Sequence, residues 1–259
     1  MDLQLQGQRV LITGGSRGIG LAIALSFAQE GALPLLVSRS PESLEAAVAT
    51  IHMQTGVRAS ALALDMGQPG AEALLLAQAG DIDILVNNAG AIPGGALADI
   101  NEARWRQAWE LKLFGYINLV RAMLPVMSAR GSGVIANIIG MAGAVPRSEY
   151  IAGSTANAAL MAFTQALGAT SPRSGVRVLG INPSPTRSDR METMLRAKAL
   201  ATLGDEARWM ELTTALPFGR LAEPREIADI TAFCCSPLAS YLSGTVINVD
   251  GGQMYASPA

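Results

Sequence analysis

Short apolar runs alternate with longer stretches of helical periodicity along this chain. The runs are Val10-Leu11-Ile12, Leu35-Leu36-Val37, Ala61-Leu62-Ala63-Leu64, Ile84-Leu85-Val86, Val134-Ile135-Ala136, Val176-Arg177-Val178-Leu179 and Val246-Ile247-Asn248-Val249. Runs of this kind, bounded by Gly or Asp and separated by helices, are the pattern of a parallel sheet covered on both faces. Together they predict a doubly wound α/β domain with a seven-stranded parallel sheet and helices on both faces. Pro34 is expected at the first residue of its strand, because proline cannot donate within a sheet. Two segments break the rhythm. Trp105 to Met127 reads as one long helix ending near Pro125. Residues 186–216 read as an insertion before the last helix, with Met191, Met194, Leu195, Trp209 and Met210 as its apolar residues. Ligands of open α/β sheets bind beyond the carboxyl ends of the strands. An insertion after the sixth strand is therefore expected to act as a substrate lid.

Composition narrows the partners. The chain has 259 residues, half of them hydrophobic and 15% charged, which fits one large domain over 1–259 with no need of a disulfide or metal staple. Ordinary globular chains carry about 25% charged residues, so part of this surface is expected to be covered by sister subunits. The net charge is −2 and no Lys/Arg run exists, which argues against nucleic acid as a partner. The N-terminus has neither a basic nor an apolar leader, and no stretch reaches membrane-spanning length. Cys234 and Cys235 are adjacent and His52 is the one histidine. That set points to a reduced, cytoplasmic chain without a His-based zinc site.

The first run leads into Thr13-Gly14-Gly15-Ser16-Arg17-Gly18-Ile19-Gly20, followed by an apolar helix from Leu21 to Gln29. Gly14 permits the tight turn, Gly18 lets backbone approach a pyrophosphate, and Gly20 lets helix and strand pack closely. The helix N-terminus offers its free N–H groups to phosphates. Gly14-Gly15-Ser16-Arg17-Gly18 also fits the nucleophile elbow of hydrolases. That reading needs a histidine after an acid, and His52 lies one strand away on a helix-patterned segment. The second run ends in Ser38-Arg39. An acid there would bind the adenosine ribose and repel a 2′-phosphate. A hydroxyl followed by a guanidinium, with Arg17 nearby, favours NADP(H) instead.

The chain resembles the short-chain dehydrogenase/reductase family over essentially its full length. The matching features are the Thr13–Gly20 loop, Asp65 after the third strand, Asn87-Asn88-Ala89-Gly90 after the fourth, Asn182-Pro183 after the sixth, and Pro217-Phe218-Gly219-Arg220 through Glu226-Ile227-Ala228 to Val249-Asp250-Gly251-Gly252. The resemblance implies a single-domain Rossmann fold, a homo-oligomer (a tetramer or dimer) and a small-molecule substrate. It also implies that Asp65 and Met66 contact adenine, that Asn88, Ala89 and Gly90 pass beneath the ribose, and that Pro183, Ser184, Thr186 and Ser188 cradle the nicotinamide amide. Ser184 stands where the family has Gly, adding a Cβ at a tight turn.

The family's catalytic Asn, Ser, Tyr and Lys align with Lys112, Gly140, Gly153 and Asn157. The chain therefore reads as an atypical member without the usual catalytic side chains. Reducing a carbonyl leaves an alkoxide that needs a proton, and neither glycine can donate one. Asn and Lys look exchanged, which would keep one ammonium and one amide in the cleft. Lys112 is then the expected charged centre and Asn157 the amide. Tyr150 is the expected phenolic donor, provided that the residues before Gly153 fold back. Three functions follow: an NADP(H)-dependent oxidoreductase of small carbonyls or alcohols, an NADP(H)-binding sensor or inactive family member, or a non-redox lyase or isomerase. Trp105, Trp109, Tyr116 and Met123 recur on one side of the long helix and are expected at a subunit interface, with Leu160, Phe163 and Leu167 adding to it.

Overall fold

Seven strands form one parallel sheet in the order β3-β2-β1-β4-β5-β6-β7. They are β1 (Arg9–Thr13), β2 (Leu33–Ser38), β3 (Ser60–Ala63), β4 (Ile84–Asn87), β5 (Gly133–Ile138), β6 (Val176–Pro183) and β7 (Val246–Val249). The structure, a computed structural model, describes residues 1–255; residues 256–259 of the expected domain lie outside the described residues. Strand order reverses between β1 and β4, the crevice where such folds bind ligands.

Alternate strand residues feed two cores. On one face Val10, Ile12, Leu36, Val86 and Ile181 pack beneath α1 (Gly18–Gln29), α2 (Pro41–Thr55) and the later α8 (Pro224–Cys235). On the other, Leu11, Val37, Leu85, Ile135 and Val178 meet α3 (Ala71–Ala79) and the helix that precedes β5. A period of two with both phases apolar is what burial on both faces requires. Burying one such side chain contributes about 1.5–3 kcal/mol.

Several expectations are corrected. Pro34 is the second residue of β2, paired with Val10. Leu33 N–H donates to Gln8 O on the β1 side, so Pro34 faces the other neighbour, and β3 pairs only from Leu35 onward. No ladder donor is lost there. The single helix expected over Trp105–Met127 is present as one unbroken helical run, α4 (Glu102–Trp109) and α5 (Gly115–Arg130), with a π-helical turn at Glu110–Phe114 inside it. Pro125 does not end it; the helix runs on to Arg130 and stops at Gly131 in the left-handed region (φ 75°). The aromatic stripe does not face outward. Tyr116 and Met123 are buried in the chain's own core, and the Trp109 indole donates to Ala152 O at 3.0 Å.

Two further helices complete the chain, α6 (Ile151–Gly168) and α7 (Asp189–Leu203). Within 186–216, Met191 and Leu195 pack with Trp209 and Leu221 in a small core, whereas Met194 and Met210 are exposed. Cys234 and Cys235 are buried free thiols. Burial pushes them up to about 11 and about 12 respectively. His52 is exposed on α2, so the hydrolase reading has no buried base to use. No helix among the described residues is long and apolar enough to cross a membrane.

Candidate active site

The loop after β1 and the loop after β4 meet at the sheet's carboxyl edge. Thr13 Oγ1 accepts from Asn88 N (2.9 Å) and Ala89 N (3.1 Å), and Asn88 Nδ2 donates to Thr13 O (3.0 Å) and Gly14 O (3.1 Å). Gly14 has φ 65°, and a Cβ there would press on Ala89 Cα and Asn88 Nδ2 at 3.0 Å. A Cβ on Gly20 would overlap the Gly14 carbonyl. The loop is thus a tight cradle opening onto the N-terminus of α1, which begins at Gly18. Arg17 precedes it as an extended cap whose side chain leaves the first N–H groups free. Ser16 and Ile19 lie in the same turn-to-helix segment. Ser38 ends β2 next to Arg39, and Ser38 Oγ is buried without a hydrogen-bond partner. Asp65 Oδ1 accepts from Gly67 N (3.0 Å), and Met66 is buried.

Past β6 the chain turns from Pro183 to α7. Ser184 N donates to Val249 O (3.1 Å), Thr186 Oγ1 donates to Ser184 O (2.8 Å), and Ser188 Oγ caps α7 by accepting from Met191 N (3.2 Å). Ser184 is not at positive φ, so its Cβ is accommodated without strain. Ser188 is engaged as a helix cap, the ordinary use of Ser at that position.

Lys112 lies in the π-helical turn and is buried. Its stem crosses Gly90, where an added Cβ would come within 2.7 Å of Lys112 Cδ. Nζ donates to Ile138 O (2.6 Å) and Tyr116 Oη (2.9 Å), and Tyr116 Oη itself donates to Ile138 O (3.0 Å). The ammonium also lies 4.7 Å from the Tyr116 ring centroid. No carboxylate joins the group, so burial lowers the Lys112 pKa to about 7. Burial pushes Tyr116 well above the ordinary phenol value, and the neighbouring Tyr150 adds to it.

Tyr150 comes from a segment that folds back. Its backbone (φ −140°, ψ 40°) is non-helical, and α6 starts one residue later. Ser154 holds the returning chain by accepting from Arg147 N (2.9 Å) and donating to Arg147 O (3.2 Å). Gly95 N donates to Glu149 O (2.8 Å), and Gly95 forms a parallel bridge with Tyr150. The Tyr150 ring then lies over Gly153: a Cβ at that position would overlap it. Burial raises the Tyr150 pKa and the charge of Arg190 draws it back.

Asn157 Nδ2 approaches Gly140 O (3.4 Å), and a Cβ on Gly140 would crowd that nitrogen at 2.9 Å. Asn157 Oδ1 is buried with no partner. Lys112 and Asn157 therefore reach carbonyls two residues apart at the end of β5. Beneath them Asn87 Nδ2 donates to Asn137 Oδ1 (3.0 Å), and Asn137 Nδ2 to Thr164 Oγ1 (2.9 Å), a closed network that fixes the floor. Sequence reading missed Tyr116 and Arg190. Tyr116 stands four residues after Lys112, a spacing that brings helical side chains together, but its place in the aromatic stripe assigns it to the expected subunit interface.

Comparison with known proteins shows the family and the fold. A model of the short chain dehydrogenase family matches residues 8–199. The oxidoreductase UcpA of Escherichia coli K12 is 34% identical over 255 residues, covering 96% of this chain and 95% of the relative. The uncharacterized oxidoreductase YvrD of Bacillus subtilis 168 is 32% identical over 260 residues, covering 97% and 98%. Among solved structures, L-sorbose reductase from Gluconobacter frateurii, complexed with NADPH and L-sorbose, superposes with a TM-score of 0.91 at 31% identity, over 99% of this chain and 100% of that one. The chain belongs to the short-chain dehydrogenase/reductase family and is an oxidoreductase of that type.

Proposed function

We propose that this protein transfers hydride between NADP(H) and a small carbonyl or alcohol substrate, and does so without the family's usual Asn, Ser, Tyr and Lys. The observation that carries the reading is the Tyr150 ring over Gly153. A phenol three residues upstream fills the space a side chain at 153 would take. The fold-back held by Ser154 and Gly95 supports it.

The residues present fit the cofactor. The Gly14–Gly20 cradle and the N-terminus of α1 would hold the pyrophosphate. Two buried polar groups without partners suit its two ends: Ser38 Oγ, with Arg39 and Arg17, a 2′-phosphate, and Asn157 Oδ1 a ribose hydroxyl. Asp65 and Met66 would flank the adenine, Asn88, Ala89 and Gly90 the ribose, and Pro183, Ser184, Thr186 and Ser188 the nicotinamide. When bound, NADPH supplies the hydride. Tyr150 Oη donates the proton to the carbonyl oxygen; its raised pKa keeps it protonated at neutral pH. Lys112 Nζ holds an exchangeable proton near neutrality and is hydrogen-bonded to Tyr116 Oη. Residues 186–216 would close over the substrate as a lid. The partly apolar outer faces of α5 and α6 would meet sister subunits in a homo-oligomer.

Steady-state consumption of NADPH over a panel of small carbonyls tests the reading. Tyr150→Phe is expected to lower kcat/KM by about 10²–10⁴-fold, the usual worth of a general acid, with NADPH affinity unchanged. Gly153→Ala is expected to do the same by expelling the ring. NADPH binding without turnover on any carbonyl would favour the sensor reading instead. The cofactor choice is tested by calorimetry: Arg39→Ala should erase about tenfold or more of an NADPH-over-NADH preference, and equal wild-type affinity for the two would refute it.

A further inference from the structure

We propose that the mouth of this site recognises a carboxylate on the substrate through Arg190, which makes the substrate an oxo acid or its hydroxy acid. The inference rests on the oxidoreductase reading above and names its substrate class. Among the described residues seven of the seventeen arginines pair with carboxylates, Arg187 and Arg196 on either side of Arg190 included. Arg190 has no such partner among the described residues. Glu192, two residues on, is engaged by Arg196 (2.7 Å).

Arg190 is placed for a ligand. It sits in the first turn of α7, directly after the 183–188 segment at the carboxyl end of β6. One of its Nη2 protons reaches across to the carbonyl of Ile92. Ile92 is buried in the wall formed by the loop after β4, and three residues later Gly95 bridges to Tyr150. The guanidinium therefore spans from α7 to the wall that holds the phenol, and its charge is felt at that phenol. Its remaining N–H groups are uncommitted and the residue is exposed. A planar fork of this kind binds carboxylate in bidentate fashion. The acid on the same rim, Glu149, does not neutralise it. Glu149 accepts from Ser148 Oγ (3.2 Å), its pKa is lowered first by hydrogen bonds and then by the charges of Arg147 and Lys198, and it makes no ion pair with Arg190 among the described residues. In this reading the substrate's carbonyl oxygen sits at Tyr150 Oη and its carboxylate at Arg190.

Matched pairs isolate the charge: short 2-oxo and 3-oxo acids against their methyl esters, which keep the carbonyl and lose the anion. Binding to the NADPH-loaded protein is measured by calorimetry and turnover separately. The acid is expected to bind about tenfold or more tighter than its ester. Arg190→Gln, which keeps a donor for Ile92 O and loses the charge, is expected to bring the two within about twofold, and Arg190→Lys to retain part of the preference. Equal affinity of acid and ester, binding of neither, or an undiminished preference in Arg190→Gln would overturn the inference. Acid binding with the expected preference but no reduction would leave the carboxylate site standing and remove the hydride-transfer reading.

Discussion

At the residue scale the site turns on how four positions share space. Gly153 and Gly140 contribute by having no side chain: one leaves room for the Tyr150 ring, the other for the Asn157 amide. Lys112 is the opposite case, an ammonium taken out of water and met by a carbonyl and a phenol instead of a carboxylate. Burial lowers its pKa to about 7, whereas in the unfolded chain it keeps its proton to about 10.4. Between those values the unfolded state binds more protons, so stability attributable to Lys112 rises with pH across that window and is flat below it. Thermal or denaturant unfolding of wild type and Lys112→Met at about pH 7 and about pH 9 checks this. The wild type should gain on the order of 2 kcal/mol relative to the variant between the two; no relative gain would mean that the amine keeps its ordinary pKa. The family's motif spacing aligns Lys112, Gly153 and Asn157 with its catalytic positions by count, whereas Tyr150 is expected there only on condition of the fold-back before Gly153. Tyr116 and Arg190 were invisible to the same reasoning. One sits in the stripe expected at a subunit interface and the other reads as a surface arginine, and only the path of the chain brings them to Tyr150.

At the element scale, hydrophobic runs located all seven strands because the central strands are covered on both faces and mostly apolar, and the largely exposed edge strand β3 still carries Ala61-Leu62-Ala63. Helix breaks were less legible. Pro125 was read as a stop, yet α5 continues through it, since packing of Leu119, Val120, Met123 and Met127 on the sheet holds the helix on both sides. The π-helical turn at Glu110–Phe114 left no mark in the periodicity, although such turns recur at functional sites, and this one carries Lys112. Arg177 shows how an apparently misplaced charge can be structural. From β6 its guanidinium donates to Cys234 O (2.7 Å), Cys235 O (2.9 Å), Ser236 O (3.0 Å) and Leu242 O (3.2 Å). It thereby satisfies carbonyls at the C-terminal end of α8, where cations are favoured. Removing it leaves several partly buried acceptors without donors. Arg177→Ala is expected to cost about 2–4 kcal/mol in denaturant unfolding while NADPH affinity stays constant. A change below about 0.5 kcal/mol would show that water replaces the guanidinium.

At the scale of the whole molecule, the reversal of strand order between β1 and β4 puts the glycine cradle, the Asn88 loop and the 183–188 turn on one edge of the sheet. The π-helical turn and the folded-back Tyr150 complete the same cleft. The low charge content pointed to covered surface, but the stripe expected to supply the interface is used internally. Phe114 (42% exposed) and Val126 (56%) are what the α4–α5 region leaves outside. Light scattering at micromolar concentration should give a mass of two or four chains, and a monomer would refute the assembly. The most direct test of hydride transfer at this site uses NADPH deuterated at the transferred C4 position. Mass spectrometry of the product alcohol from a reduced carbonyl should show one deuterium on the former carbonyl carbon with the wild-type protein, and Tyr150→Phe at equal cofactor occupancy should form the same labelled alcohol about 10²–10⁴-fold more slowly. Absence of label with the wild type, or labelled alcohol formed by Tyr150→Phe at the wild-type rate, would contradict the account.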